Sequence, residues 1–435
     1  MKKIITLALC FVAALTVNAQ KVNKLIKEKN VSRIIKTLSA DDMMGRSARK
    51  PEQIEKATAF IEKEFKKIGL KPLKGLTGFR QEFTKEQIVL EQIEVIIDGE
   101  RIEGENLFIA SEKTVINFEN GLSIKSIEFD TQAPNKDQYF FDKAFALVRD
   151  TSSSIVLVAQ EFKANFKEFK GFFGKRFLNN QKSTKVFVFG KSKVSTYSVK
   201  ATQKIEAIRM TNVIGMLEGK SRTDEMVVFS GHYDHIGILP PVAGDSIANG
   251  ADDDASGTTA VMALAKYFKK IKNNNRTLIF AAFTAEEIGG YGSQYFSKQL
   301  DPGKVVAMFN IEMIGKPSKW GQNNAFITGF ERSDFGKILQ KNITDTQFQF
   351  NPDPYPEQNL FYRSDNATLA RLGVPAHSIS TDEIDIDKFY HTVNDEAETL
   401  NMNNITSTIR AIALSSKTIV SGEDTPTRID KATVR

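Results

Sequence analysis

MVVFSGHYDHIGILPPVAGDSIANGADDDASG, residues 226–257, is the stretch whose reading decides the fold. Met226–Ser230 is a short, valine-rich apolar run with the length of a buried strand. After Gly257 the pattern changes period: Ala260, Val261, Leu264, Phe268 and Ile271 recur at helical spacing. A polar loop between a buried strand and a buried helix is where α/β proteins keep their chemistry. This loop carries His232, Asp234 and three consecutive aspartates, Asp252–Asp254. His232 and Asp234 are two apart and would share a strand face, one as a metal ligand and one as its neighbour. Three adjacent aspartates repel one another unless cations or backbone amides neutralise them. The plainer reading is a solvated acidic turn before a helix N-terminus, which the helix dipole favours.

Three further segments weigh against the plain reading. RTLIFAAFTAEEIGGYGSQYF, residues 276–296, is a second buried strand ending at Glu286 and Glu287. At the end of a central strand, one of these can ligate a metal while the other holds a proton. VVAMFNIEMIG, residues 305–315, is a third strand with Glu312 near its end, and a carboxylate there needs a partner. FYHTVNDE, residues 389–396, brings His391 after two aromatics. Two histidines and several carboxylates thus emerge from apolar segments, a donor set suited to two cations sharing one bridging carboxylate.

The signatures GHYDHIG (231–237), NGADDDASG (249–257), AEEIGGYGS (285–293), NIEMIG (310–315) and YHTVND (390–395) resemble, in order and spacing, the M28 family of zinc peptidases. DDMMGRSARKPEQIEKATAFIEKEFKKIGLKPL (41–73) is similar to that family's leading helices. The resemblance implies two zinc ions per chain. His232 and Glu312 would hold one ion, Glu287 and His391 the other, and Asp253 would bridge them. Asp234 would orient His232, and Glu286 would act as general base and acid. Tyr390, Tyr362 and Ser364 are candidates to touch the substrate or the developing oxyanion. Two positions depart from the family pattern. Glu312 stands where the family usually has Asp, and Asn366, in RSDNA, stands where a histidine is common.

Met1–Ala19, MKKIITLALCFVAALTVNA, reads as a signal peptide: two lysines, an apolar core of about a dozen residues, and Val17 and Ala19 before the cleavage point. The run is short for a membrane span of about 30 Å. Leu9 precedes Cys10 in mid-core, which argues against lipidation. Cys10 is the only cysteine, so a mature chain would have neither a disulfide nor a catalytic thiol. The formal charge of +6 falls to +4 without Lys2 and Lys3. That balance and a single Trp give no nucleic-acid footprint. No later segment is long and apolar enough to span a membrane.

The chain therefore reads as an α/β protein: a three-layer sandwich around a mixed, largely parallel central sheet of the zinc exopeptidase type. The expected organisation is N-terminal helices at 20–78, a β-rich insert at 79–204 in the position of a protease-associated insert, a catalytic domain at 205–421 and a polar tail at 422–435. Within the insert, KANFKEFKGFFGKRFLNN is basic and rich in Phe, and is expected to pack on its own sheet rather than face a partner or membrane. His377 and His235 are expected in structural or solvent roles. The expected function is a periplasmic or secreted zinc aminopeptidase acting on peptides. Its alternatives are a single-zinc glutaminyl cyclase, a carboxypeptidase or dipeptidase of the same family, and a non-catalytic binding relative.

Overall fold

The computed structural model describes residues 21–173 and 176–434, so the expected signal peptide lies outside the described residues. The described chain divides into two compact units. One comprises the residues up to Phe83 and from Met210 onward; the other is Thr84–Arg209.

In the first unit the strand Arg222–His232 is central. Arg276–Phe283 lies parallel on one side and Val305–Ile311 parallel on the other. Ala376–Ser380 continues the parallel run beyond Val305–Ile311, followed by Asn324–Ile327, which is antiparallel to it. On the opposite flank, residues 213–217 run antiparallel to Arg276–Phe283. Every residue of Arg276–Phe283 and Val305–Ile311 is buried, as strands covered on both faces must be. Phe229 meets Phe268 of the Gly257–Ile271 helix on one face, with ring centroids 5.4 Å apart. Its neighbour Val228 points to the other face, into a cluster with Phe296 and Leu369. The expected three layers, helices either side of a largely parallel sheet, are present.

This order positions the site. The chain leaves the central strand, returns on one side through Arg276–Phe283, then crosses to the other side for Val305–Ile311. Such a reversal of strand order opens a crevice at the strand C-termini, where α/β proteins bind ligands.

The second unit has a four-stranded sheet in the order Leu107–Ala110, Lys185–Phe189, Ser154–Val158, Ser123–Ile127. Two helices, Lys136–Arg149 and Lys163–Phe173, cover one face. There Phe108, Phe140, Phe162, Phe166, Phe169 and Phe187 form one apolar cluster. The Phe-rich segment therefore packs on its own sheet. The unit is strand-rich, with these two helices on its sheet. The Lys136–Arg149 helix was not anticipated, because Asp137, Asp142 and Lys143 interrupt its apolar stripe. The unit also begins and ends some five residues later than the change of composition. The strands Arg80–Ile97 and Tyr197–Leu217 run unbroken through both crossings, so composition carries no mark there.

Candidate metal centre

His232 is the last residue of the central strand, and Glu312 follows the last residue of Val305–Ile311. Glu286 and Glu287 lie just past Phe283. Asp253 sits in the turn Ala251–Ser256 that precedes the Gly257–Ile271 helix. Two glycines make this turn fit. A Cβ on Gly250, at φ +55°, would come within 2.3 Å of the Asp253 carbonyl oxygen and 2.5 Å of the His235 ring. A Cβ on Gly257 would come within 2.0 Å of the Ile311 carbonyl oxygen.

The five expected ligands converge. His232 Nε2 lies 3.2 Å from Asp253 Oδ1, and 4.0 Å from both Glu286 Oε2 and Glu312 Oε1. His391 Nε2 lies 3.3 Å from Asp253 Oδ2 and 3.0 Å from Glu287 Oε2. The two oxygens of Asp253 thus face different histidines, as a bridging carboxylate requires. His232, Asp253 and Glu312 each present a ligand atom within 4.8 Å of the others. His232 Nε2 and Glu312 Oε2 are buried without a hydrogen-bond partner, the condition of donors aimed at a cation. The donor set of imidazoles and carboxylates fits zinc. Glu312 reaches His232 and Asp253 from its strand end, and the Ser364 hydroxyl supports its carboxylate.

The electrostatics agree. Burial alone would push every carboxylate here up. Glu286 rises well above the ordinary range, from burial and from Glu312, Asp365 and Glu287 against the pull of His232. Glu312 is pushed up to about 7 by burial and by Asp253, again against His232. Burial also opposes ionisation of Asp253, but His232, His391 and His235 overcome it and hold Asp253 well below the usual range. Burial disfavours charge on His391, yet Asp253 and Glu287 raise it to about 10.

Other expected residues fall differently. Asp234 was expected to hold His232 through its carboxylate. Instead its backbone oxygen lies 3.2 Å from His232 Nδ1, while its Oδ1 is 3.8 Å away and accepts the Glu286 N–H at 3.1 Å. Asp234 thus meets the histidine ring through its carbonyl and the Glu286 backbone through its carboxylate. Tyr390 stacks on the His391 ring, with centroids 3.9 Å apart. It lines a pocket with Glu312, Ser364, Met313, Phe326 and Leu360. Tyr362 does not join this group: its hydroxyl accepts from Arg332 at 3.0 Å and donates to the Thr433 carbonyl at 3.3 Å. Its place in a short helical turn aims it at the C-terminal segment. Asn366 is fully buried, donating to the Phe361 carbonyl at 3.0 Å and accepting from Ser378 at 2.9 Å. It is a packing residue here. His377 is likewise packed, with Nε2 2.8 Å from Ser333 Oγ and Nδ1 2.8 Å from the Thr328 carbonyl.

His235, expected in a structural or solvent role, takes a structural one beside the site. It is buried, and its Nδ1 lies 2.7 Å from Glu287 Oε1, the oxygen that His391 does not face. The strand ends at His232, so strand alternation does not extend to His235. Several supporting residues were not singled out. Asp254 accepts from His232 N, Gly257 N and Met313 N, tying three segments together. Asp395 accepts from the backbone of Asp252 and Asp253. Arg46, fully buried, donates to the carbonyls of Tyr233, Leu38, Asn249 and Gly250. Ala285, Met313 and His391 adopt φ of +60°, +49° and +56°, costing roughly 1–3 kcal/mol each. All three are ligands or next to ligand or base residues, where such backbone is held by its surroundings.

The chain is similar to known proteins. Residues 212–415 match the sequence model of peptidase family M28. A probable zinc metalloprotease of Leptosphaeria maculans is 34% identical over 122 residues, 27% of this chain and 28% of that protein. Leucine aminopeptidase 1 of Pyrenophora tritici-repentis is 29% identical over 209 residues, 45% of this chain and 52% of that protein. The chain thus spans about a quarter to a half of the length of these curated relatives. Among solved structures, an aminopeptidase from Aneurinibacillus sp. strain AM-1 superposes with a TM-score of 0.60 at 18% identity, covering 96% of this chain and 98% of that one. A zinc aminopeptidase from Bacillus subtilis gives 0.54 at 16% identity, covering 94% and 99%. These likenesses show a shared fold. With five signatures in order, converging side chains and the matching sequence model, residues 212–415 of this chain are similar to peptidase family M28.

Proposed function

We propose that this chain is an exported, zinc-dependent aminopeptidase that removes N-terminal residues from peptides. The observation that carries the reading is Asp253: its two oxygens face His232 at 3.2 Å and His391 at 3.3 Å, with Glu286 standing free beside them. His232, Asp253 and Glu312 would hold one ion, and His391, Asp253 and Glu287 the other. Bound zinc supplies a water of lowered pKa and positive charge for the carbonyl oxygen. Glu286 takes the water proton on a carboxylate oxygen and delivers it to the leaving amine nitrogen. Its upward pKa, caused first by burial, suits a group that must both accept and return a proton. Asp234 holds the Glu286 backbone in place by accepting its N–H. The pocket beside Glu312 mixes apolar residues, Met313, Phe326, Leu360 and Ile384, with polar ones, Arg363, Ser378, Ser380 and Asp382; its apolar part would face the side chain at the substrate N-terminus. The printed name of the Pyrenophora relative, a leucine aminopeptidase, supports that choice. Export rests on Met1–Ala19. No helix among the described residues is long and apolar enough to cross a membrane.

The test is a panel of aminoacyl p-nitroanilides, N-blocked peptides and an N-terminal glutaminyl peptide, run with zinc beside Glu286→Gln. Hydrolysis of free-amino substrates, abolished by chelation and restored by zinc, is expected. Cyclisation of the glutaminyl peptide with one ion per chain would replace the reading by the cyclase. Full activity in protein shown metal-free by elemental analysis would overturn it.

A further inference from the structure

Lys316 lies four residues beyond Glu312, between two loops that carry opposite parts of the centre. Its Nζ is 3.1 Å from Asp252 Oδ2 and 2.7 Å from Asp387 Oδ2. It also sits 5.5 Å from the centre of the Phe389 ring. Asp252 precedes the bridging Asp253, while Asp387 and Phe389 precede His391 by four and two residues. Each aspartate divides its oxygens in the same way. Asp252 Oδ1 accepts from Gly315 N at 2.7 Å, and Asp387 Oδ1 accepts from Phe389 N at 2.9 Å. In each, one oxygen accepts a backbone N–H and the other meets the ammonium. Asp382 stands beside both carboxylates, so the three aspartates surround a single cation.

The His391 loop needs such an anchor. Between Ser380 and Met402 its regular structure is one short turn, Ala397–Thr399, among the described residues. His391 itself has a side chain 37% exposed and a positive φ. Lys316 is held from behind: its carbonyl accepts from Thr381 Oγ1 at 2.5 Å and from Asn404 Nδ2 at 2.8 Å. A side chain fixed at its base and paired at its tip with both loops sets the distance between Asp253 and His391.

We propose that Lys316 is a positioning residue that latches the His391 loop to the Asp253 turn and thereby sets affinity for the His391-side ion. This rests on the two-ion reading above. Lost outer partners of metal ligands typically cost about 10–100-fold in affinity. The experiment dialyses wild type, Lys316→Met, Lys316→Arg and Asp387→Asn against graded chelator and counts zinc per chain, with His391→Ala as the one-ion reference. Lys316→Met and Asp387→Asn should fall to one ion at roughly tenfold lower chelator than wild type, and Lys316→Arg should recover most of the difference. Adding His391→Ala to Lys316→Met should remove no further zinc than His391→Ala alone. Asp387→Asn keeps the test open if Lys316→Met, which leaves buried carboxylates uncompensated, fails to fold. Two ions held as tightly as in wild type, or both ions lost together with a falling Tm, would overturn the latch. Wild type that takes up fewer than two ions would overturn the two-ion reading, and the latch with it.

Discussion

The two halves of the centre are built by different means. On the His232 side, the ligands sit at the ends of adjacent parallel strands, and His232 is about 1% exposed. Backbone pairing of Val227–Ser230 with both flanking strands fixes where they emerge. On the His391 side the histidine comes from an irregular loop, its side chain 37% exposed. Its place depends on Asp395, Lys316 and the stacked Tyr390 rather than on a sheet. A sheet resists displacement collectively, whereas a loop yields when one anchor is removed. The first half should therefore tolerate changes around it, and the second should register them.

The sharpest way to break this comparison is to delete one ligand from each half. Glu312→Ala should lose the His232-side ion first, and His391→Ala the other, each weakening its own ion by more than about a hundredfold, beyond the usual loss for an outer partner. Metal counts against chelator, together with the cobalt spectrum of the ion that remains, would show it. Identical spectra from the two variants would mean that the halves are not separate sites. Glu312→Asp should keep both ions, since the family's usual residue is one methylene shorter.

Glu286 belongs to neither half in this scheme. Glu286→Gln should keep two ions and lose at least about a hundredfold in kcat, the low end for general acid–base catalysis. Loss of zinc in Glu286→Gln, with zinc retained in Glu287→Gln, would exchange the two roles.

The smallest expected effect tests the outer support of the weaker half. His235 holds Glu287 Oε1 and leaves Oε2 to face His391. His235→Gln should weaken the His391-side ion about tenfold and leave the other within a factor of two or three. An equal loss from both ions would make His235 a general packing residue.

Much of the centre was legible in the sequence. Buried strands announce themselves as short apolar runs, and acids or histidines at their ends stand out against that background. Glu286, Glu287, Glu312 and His232 were readable for this reason. His391 was found by its motif, since no periodicity surrounds it. Tyr362 was misplaced because an aromatic near a motif carries no direction in sequence; its hydroxyl follows the turn it occupies, toward Arg332. The bond of His235 to Glu287 was not foreseen because strand alternation was extended past the strand's last residue. The Lys136–Arg149 helix was overlooked because charged residues broke its stripe, although Phe140 and Ala144 are fully buried.

By itself, the sequence determined which residue types would line the crevice, the strand and helix periods that carry them, and the family they resemble. Those properties are local, written in apolar spacing and short motifs. Only the tertiary structure decided that Asp253 divides its oxygens between two histidines, that Asp234 meets the His232 ring through its carbonyl, and that Lys316 meets both ligand loops. Arg46 reaches the carbonyls of Asn249 and Gly250 from some two hundred residues away along the chain. Such contacts depend on the reversal of strand order at the central strand, which brings distant segments to one crevice, and no spacing along the chain records that.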